Sequence, residues 1–103
     1  MTLKEIRDLL VSIDPDIRHY FTAGSGRDYT YWEQMDRLAL TADNRHEEAW
    51  RFYVHRFTRD EFDPVARRIF ETLDADPRTA VSQTDDYEPE SGYIHHIFTC
   101  EAY

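Results

Sequence analysis

A chain of 103 residues can bury one hydrophobic core, and an apolar content of 41% with 15% aromatic residues favours a single folded domain over residues 1–103. The formal net charge of −9 repels phosphate groups and no basic stripe offsets it, so the composition argues against nucleic acid and membrane partners. The single cysteine has no disulfide partner in the chain, and no segment resembles a signal peptide or a membrane helix, so we expect a cytoplasmic protein.

The first predicted element is a helix over residues 2–13. Thr2 and Glu5 have the spacing of a capping box, in which each side chain binds a free amide of the other residue's backbone. Asp14 precedes Pro15, which disfavours helical backbone and ends the helix. The apolar residues form one stripe along it: Leu3, Ile6, Leu9, Leu10 and Ile13.

Three strands are predicted to follow. Residues 17–22 form a short strand that leads into a turn at 23–26, and residues 29–38 alternate as an aromatic-rich strand. The alternation places Met35 on the face of Tyr29, Tyr31 and Glu33, and Asp36 on the other face. Residues 39–48 are predicted to be a polar connection before the clearest strand, 49–58. One face of that strand holds Trp50, Phe52 and Val54, and the other holds Arg51, Tyr53 and His55.

A second helix is predicted over residues 60–73, where the letters DADP end it. Two strands, 79–88 and 92–102, complete the chain around a turn at 89–92. The order α-β-β-β-α-β-β predicts an α+β fold, with two helices packed on one face of a mainly antiparallel sheet. The stripe of the second helix comprises Phe62, Val65, Ala66, Ile69, Phe70 and Leu73.

The last strand carries residues that suggest chemistry, namely His95, His96 and Cys100. Neighbouring side chains on a strand point to opposite faces, so the two histidines cannot share a metal ion. His96 and Cys100 share a face but lie about 13 Å apart along the strand, too far for a nucleophile and its base. We therefore expect His96 to be a core or edge histidine with a hydrogen-bond partner, His95 to be exposed or at an interface, and Cys100 to pack as a small apolar residue.

The acidic run before Gly92 does not match a calcium loop, because Pro89 falls inside it and Ile97 takes the place of the final carboxylate. Nucleotide-binding, hydrolase and metalloprotease motifs are also missing from the sequence. We expect no catalytic residue, no metal and no cofactor. The abundance of tyrosine and tryptophan favours half-buried sheet residues and, beyond these, anchors of a protein interface.

The order of several stretches resembles a known family. These are RHYFTAGSGRDYTYWEQM, LTADNRHEE, WRFYVHRFT, DPVARRIFETLD and DYEPESGYIHHIFTCEA, which together span nearly the whole chain. The chain resembles the small tail-completion or tail-terminator proteins, which join head and tail in long-tailed bacteriophages and prophages. The closing YEPESGYIHH is the most specific part of the resemblance, together with the strand–helix junction.

The resemblance implies a non-enzymatic virion morphogenesis protein, made in the bacterial cytoplasm and placed at the tail end or the head–tail junction. It implies a ring of identical subunits, usually a hexamer in this family, that contacts the tail tube and head-neck proteins. It also implies that the loop before the third strand meets neighbouring subunits. The interface residues we predict are Leu38, Leu40, Arg45, His46, Tyr53 and His95.

Two other functions stay open at this point. The chain is alternatively a monomeric adaptor or regulatory module that binds one partner protein without forming a ring. An enzyme would require His19, His46 or His55 to converge on Cys100 or on a pair of carboxylates in a pocket.

Overall fold

The computed structural model describes residues 1–21, 26–42 and 45–103, and for 39–42 and 45–47 it describes the backbone alone. The α+β fold is confirmed. Two helices and five strands follow one another as α1 (Leu3–Ile13), β1 (Arg18–His19), β2 (Tyr29–Ala42), β3 (Arg45–Thr58), α2 (Pro64–Ala75), β4 (Thr79–Glu88) and β5 (Tyr93–Ala102).

Capping side chains set where both helices begin. Thr2 accepts a hydrogen bond from the Glu5 amide at 3.1 Å, and Glu5 accepts one from the Thr2 amide at 3.1 Å, which confirms the capping box. The second helix begins four residues later than predicted, because Asp63 caps it and Pro64 takes its first position. Phe62 therefore precedes the helix and is 82% exposed, so its predicted place in the apolar stripe is wrong.

The five strands form one sheet in the order β1-β2-β3-β5-β4. Every pairing is antiparallel except that of β1 with β2. The first strand is only two residues long, shorter than predicted, because Tyr20 has a positive φ of 68° and turns the chain away after its amide bonds the Trp32 carbonyl at 2.7 Å. In the turn between β4 and β5, Gly92 supplies the positive φ of 76° that the turn requires.

The predicted polar connection at 39–48 is wrong, because β2 and β3 continue as a paired hairpin from residue 38 to 42 and from 45 to 49. This part of the hairpin extends beyond the rest of the sheet, since β5 pairs with β3 only from Trp50 to Thr58. We call residues 38–42 and 45–49 the hairpin arm. Polar side chains there suggested a loop, but backbone hydrogen bonds between adjacent strands do not require an apolar sequence.

A register shift between Gln34 and Asp36 breaks the alternation of β2. Asp36 pairs with Arg51 and so lies on the face of Glu33, opposite to its predicted place. Met35, at the shift, is half exposed. A single irregular residue therefore reverses the facing of the strand that follows it.

The core lies between the two helices and one face of the sheet, as predicted. The helices contribute Ile6, Leu10, Ile13, Ala66, Ile69 and Leu73, and the sheet contributes Trp32, Phe52, Val54, Phe98, Cys100 and Ala102. These side chains repeat at helical spacing in α1 and α2 and at every second position in the strands. Neither α1 nor α2 packs on the opposite face of the sheet.

A buried ion pair joins β3 to the start of α2. The Arg56 Nε donates to Asp63 Oδ2 at 2.8 Å, and its Nη1 donates to the Thr30 hydroxyl at 3.2 Å. Asp63 also accepts the amides of Val65 and Ala66 as the helix cap. Burial raises the pKa of Asp63, but the Arg56 guanidinium and these two amides outweigh it and hold that pKa below its usual value.

Replacing Asp63 by asparagine is expected to destabilise the fold by about 3 kcal/mol, because it leaves the Arg56 charge buried without its closest partner. Urea unfolding of Asp63→Asn measures this loss. The matched control is Asp8→Asn, which removes an exposed partner of Lys4 and Arg7 and should leave the urea midpoint nearly unchanged. Equal midpoints for Asp63→Asn and the wild type would contradict the role given to this pair.

Candidate functional site

The face of the sheet opposite the helices is rich in aromatic and imidazole rings. We call it the open face and define it by the side chains that alternation places there: Tyr29, Tyr31, Tyr53, His55, Phe57 and His95. Most of these side chains are half-buried by one another. Two predicted interface residues, Tyr53 and His95, share this face, as the alternation in β3 and β5 predicts.

Stacking between rings fixes the orientation of the aromatic side chains on the open face. Phe57 lies between Tyr29, at 4.6 Å between ring centroids, and His95, at 4.0 Å, with the planes nearly parallel in both pairs. Tyr31 stacks on His55 at 4.4 Å. Cross-strand aromatic pairs of this kind stabilise a sheet and restrict the rings to few rotamers.

A chain of hydrogen bonds runs across the same face from His95 through His55 to Glu33. His55 Nε2 lies 3.3 Å from Glu33 Oε1, and His55 Nδ1 lies 2.8 Å from His95 Nε2. Since a carboxylate only accepts, the His55 Nε2–H donates to Glu33 and, in the neutral ring, Nδ1 accepts from His95. Three strands are thereby linked through side chains.

Both imidazoles are held in their neutral form. Burial lowers the pKa of His55, and the Glu33 carboxylate offsets only part of that effect. Burial also lowers the pKa of His95, and the adjacent His55 lowers it further, against the opposing charges of Glu88 and Asp86. Because both pKa values lie below the ordinary histidine value, the centre of the open face carries little positive charge at neutral pH.

The other predicted interface residues lie on the hairpin arm. Leu38 is half-buried and pairs with Ala49. The backbone of Leu40, Arg45 and His46 is in the two strands of the arm, while the side chains of these three residues lie outside the described part of the structure. Their role at an interface stays a prediction.

His96 lies on the helix face, opposite to His95, as alternation predicts. Its Nδ1 donates to Asp85 Oδ1 at 2.6 Å, so the expected hydrogen-bond partner of His96 is an aspartate on β4. Burial raises the pKa of Asp85, but hydrogen bonds from Gln83 and His96 reverse this and keep the pKa below its usual value. Among the described residues, His96 Nε2 has no hydrogen-bond partner.

This Asp85–His96 pair lines a cleft of about 390 Å³ between α2 and the strands β4 and β5. Phe62, Phe70 and Arg67 form part of its other wall. An aspartate–imidazole pair orients a base, but acyl transfer also needs a nucleophile beside it. Neither Cys100 nor a serine side chain of the described residues lines this cleft.

Cys100 is an apolar core residue, as predicted. Its side chain is fully buried and belongs to the same cluster as Phe98 and Ala102. Burial raises the pKa of the Cys100 thiol to about 12, so the reactive thiolate is scarce at neutral pH.

Two edges of the sheet are open to further pairing. β4 pairs with β5 along its whole length and has no strand on its outer side among the described residues. β1 pairs with β2 only at Tyr31 and Trp32. Among the described residues, the rest of the outer edge of β2 has no strand beside it. Unpaired strand edges present free amide and carbonyl groups that can bind another strand.

The sequence patterns did not predict two polar clusters, Asp85–His96 and Glu33–His55–His95. A hairpin centred on the predicted turn at 89–92 does pair Asp85 with His96, so register counting offered a signal for the first cluster. The second depends on the pairing of β2, β3 and β5, which are distant in sequence, and no local signal indicates it.

The described residues contain no group of three or more His, Cys, Asp or Glu side chains arranged to hold a metal ion. None of the helices in this part of the chain is long and apolar enough to cross a membrane. No protein-family model matches the chain, and no curated protein is similar to it in sequence.

The Cys100 thiol is expected to react with Ellman's reagent at least about a hundredfold more slowly in the native protein than in guanidinium, because exposing a core strand costs several kcal/mol. Absorbance of the released thiolate measures the rate. Met35→Cys provides a matched exposed thiol, which should react at once in the folded protein. Rapid native reaction of Cys100 would contradict its place in the core.

The free energy of unfolding is expected to fall as the pH drops below 6.5, the ordinary histidine pKa. In that range the unfolded chain binds protons at His55 and His95, whereas the folded state holds both rings neutral. Urea unfolding at several pH values measures the effect. The contribution from Asp63 and Asp85 is separate, since it acts below 3.8.

The double variant His55→Gln/His95→Gln isolates this contribution, because the other histidines stay in place. Its stability should depend less on pH between 6.5 and 5 than that of the wild type. Parallel profiles for the two proteins would show that these imidazoles are not held neutral by the fold.

Proposed function

We propose that the chain is a non-enzymatic virion morphogenesis protein, which assembles into a ring at the tail end or head–tail junction of a long-tailed phage or prophage. The resemblance of its sequence to tail-completion and tail-terminator proteins supports the proposed location in a phage tail. The observation that carries the assembly itself is the pair of open sheet edges, on β2 and on β4.

The two edges lie on opposite sides of the sheet and belong to different strands. Pairing β4 of one subunit with the outer edge of β2 of the next is therefore a heterologous contact. A heterologous contact repeats from subunit to subunit, and it closes into a ring when the rotation between subunits divides a full turn. Backbone hydrogen bonds would supply the contact, as in other cases of strand addition.

The hairpin arm could extend such a contact onto the neighbouring subunit. Its two strands extend past the region where β5 supports β3, so the arm projects from the body of the sheet. The net charge of −9 keeps free subunits apart, because like charges repel on approach. Assembly would then await a tail tube or neck protein whose surface offsets that charge. In this proposal the subunits are made in the bacterial cytoplasm and end in the virion.

The open face favours a second candidate, a monomeric adaptor that binds one partner protein. An ordered aromatic surface is typical of protein interfaces and needs no ring to function. The two candidates differ in which surface is used: the edges of the sheet for ring assembly, and the open face for an adaptor.

Tail-tube assembly tests the proposed function directly. Tubes polymerised from the tail-tube protein of the same genome should stop growing when this protein is added, and electron microscopy should show a ring at one end. Tubes that continue to lengthen at the same rate, or a genome without tail genes around this chain's gene, would overturn the proposal.

Cross-linking tests the edge contact within the ring. Met35→Cys marks the outer part of β2, Ser82→Cys marks β4, and the two variants are mixed so that a bismaleimide can join them only between subunits. We expect a cross-linked dimer on tubes and none in the free protein. Val11→Cys, exposed on α1, replaces Met35→Cys in the control mixture and should give no dimer. Equal yields from both mixtures would contradict pairing at the edges.

A further inference from the structure

We propose that the open face is a docking surface for a basic, arginine-bearing segment of a partner polypeptide, bound by stacking of guanidinium groups on its rings and by the carboxylates around them. This surface is distinct from the two sheet edges. The inference therefore goes beyond ring assembly and does not depend on it.

The protein already binds one guanidinium group at the border of this face. The Arg59 side chain lies over the Tyr93 ring, 4.1 Å from its centroid, and its nitrogens donate to the carbonyls of Gly26 at 2.9 Å and Ser91 at 3.1 Å. Tyr93 is held in place by its own hydroxyl, which donates to the Arg27 carbonyl at 2.8 Å. The contact shows how a planar cation is accepted here, with an aromatic ring below and oxygen atoms at its edge.

In the described part of the chain, no guanidinium group stacks on the neighbouring rings, which offer the same kind of site. Tyr29, Tyr31 and Tyr53 lie beside Tyr93 and the histidines on this face, and each keeps part of its side chain accessible. Stacking against Phe57 and His55 fixes the orientations of Tyr29 and Tyr31 before a ligand arrives. Little side-chain entropy is then lost on binding, which favours affinity.

The charges on the open face match a cation. The alternation of the strands places the carboxylates of Glu33, Asp86 and Glu88 on it. Arg51, on the same face, is engaged with Asp36 at 3.3 Å and Glu101 at 3.4 Å. His55 and His95 add little positive charge at neutral pH. Arg18, which pairs with Tyr31, and Arg59 are further cations on or beside this face, but with Asp36 and Glu101 the carboxylates still outnumber the guanidinium groups. A basic segment therefore meets a net negative charge beside exposed parts of aromatic rings.

The same charges argue against other occupants. A second copy of the chain would bring a net charge of −9 and the same carboxylates to the contact, so like charges would face each other. Nucleic acid would bring phosphates to that negative surface. Arginine is favoured over lysine because its flat guanidinium stacks on a ring and is more weakly hydrated than an ammonium group.

Peptide titration tests the proposal with a defined probe. A capped peptide of alternating glycine and arginine is added to isotopically labelled protein at physiological ionic strength, and matched peptides carry lysine or the neutral analogue citrulline in place of arginine. We expect amide shifts centred on Tyr31, Tyr53 and His95, with the arginine peptide binding about fivefold more tightly than the lysine peptide. The citrulline peptide should bind most weakly.

Single substitutions test whether the peptide binds at the open face. Tyr31→Thr and Tyr53→Thr keep strand-forming residues but remove rings from the open face, and each should remove most of the preference for arginine over lysine. Tyr87→Thr removes an exposed tyrosine that β4 presents on the opposite side, and it should leave that preference unchanged. Thermal unfolding followed by circular dichroism confirms that each variant is folded at the titration temperature.

Several outcomes would overturn the proposal. Equal affinity for the arginine and lysine peptides would reduce the effect to general charge attraction. Shifts centred on the cleft beside His96, or on the hairpin arm, would place the site elsewhere. Shifts of the open face that appear on raising the protein concentration alone would identify a second copy as the occupant. Tube capping without peptide binding would overturn this inference alone, and binding without capping would overturn only the proposed function.

Discussion

The ion pair between Arg56 and Asp63 is the constraint on which the two halves of the fold depend. Arg56 lies on the central strand β3, and Asp63 caps α2, so one contact fixes where the helix begins and how it meets the sheet. Both groups are nearly removed from water, where an unpaired charge is costly. With α2 held in this position, its apolar stripe covers the same face of the sheet that α1 covers.

Placing both helices on one face has a direct consequence for function. The opposite face has to be compatible with solvent or with a partner. The chain places tyrosine, histidine and carboxylate side chains there, next to the small polar residues Ser82, Thr84 and Thr99 of β4 and β5. Stacking among these rings lets them shield one another while the polar atoms remain accessible. Together with the two open edges, this arrangement is the basis of the contacts with other proteins that we propose.

Local patterns predicted most of the architecture. The capping box of Thr2 and Glu5, the stripe of α1 and the alternation of β5 are short-range features, and each appears in the structure as expected. The errors have physical causes. Phe62 is exposed because α2 begins only at Pro64, after the cap residue Asp63. Asp36 lies on the opposite face from the predicted one because the register shifts after Gln34. The polar arm pairs as strands because backbone hydrogen bonds, not apolar side chains, hold an antiparallel hairpin together.

Spacing along the sequence predicts both helices, all five strands in outline and the opposite facing of His95 and His96, and the composition predicts the acidic charge. These depend on spacing within one element, where a period of 3.6 or 2 decides which side a residue takes. The contacts of His95 with His55 and of Arg56 with Asp63 become visible only in the folded chain. Such contacts require strand register or the docking of a helix, and these are set by the packing of the whole chain.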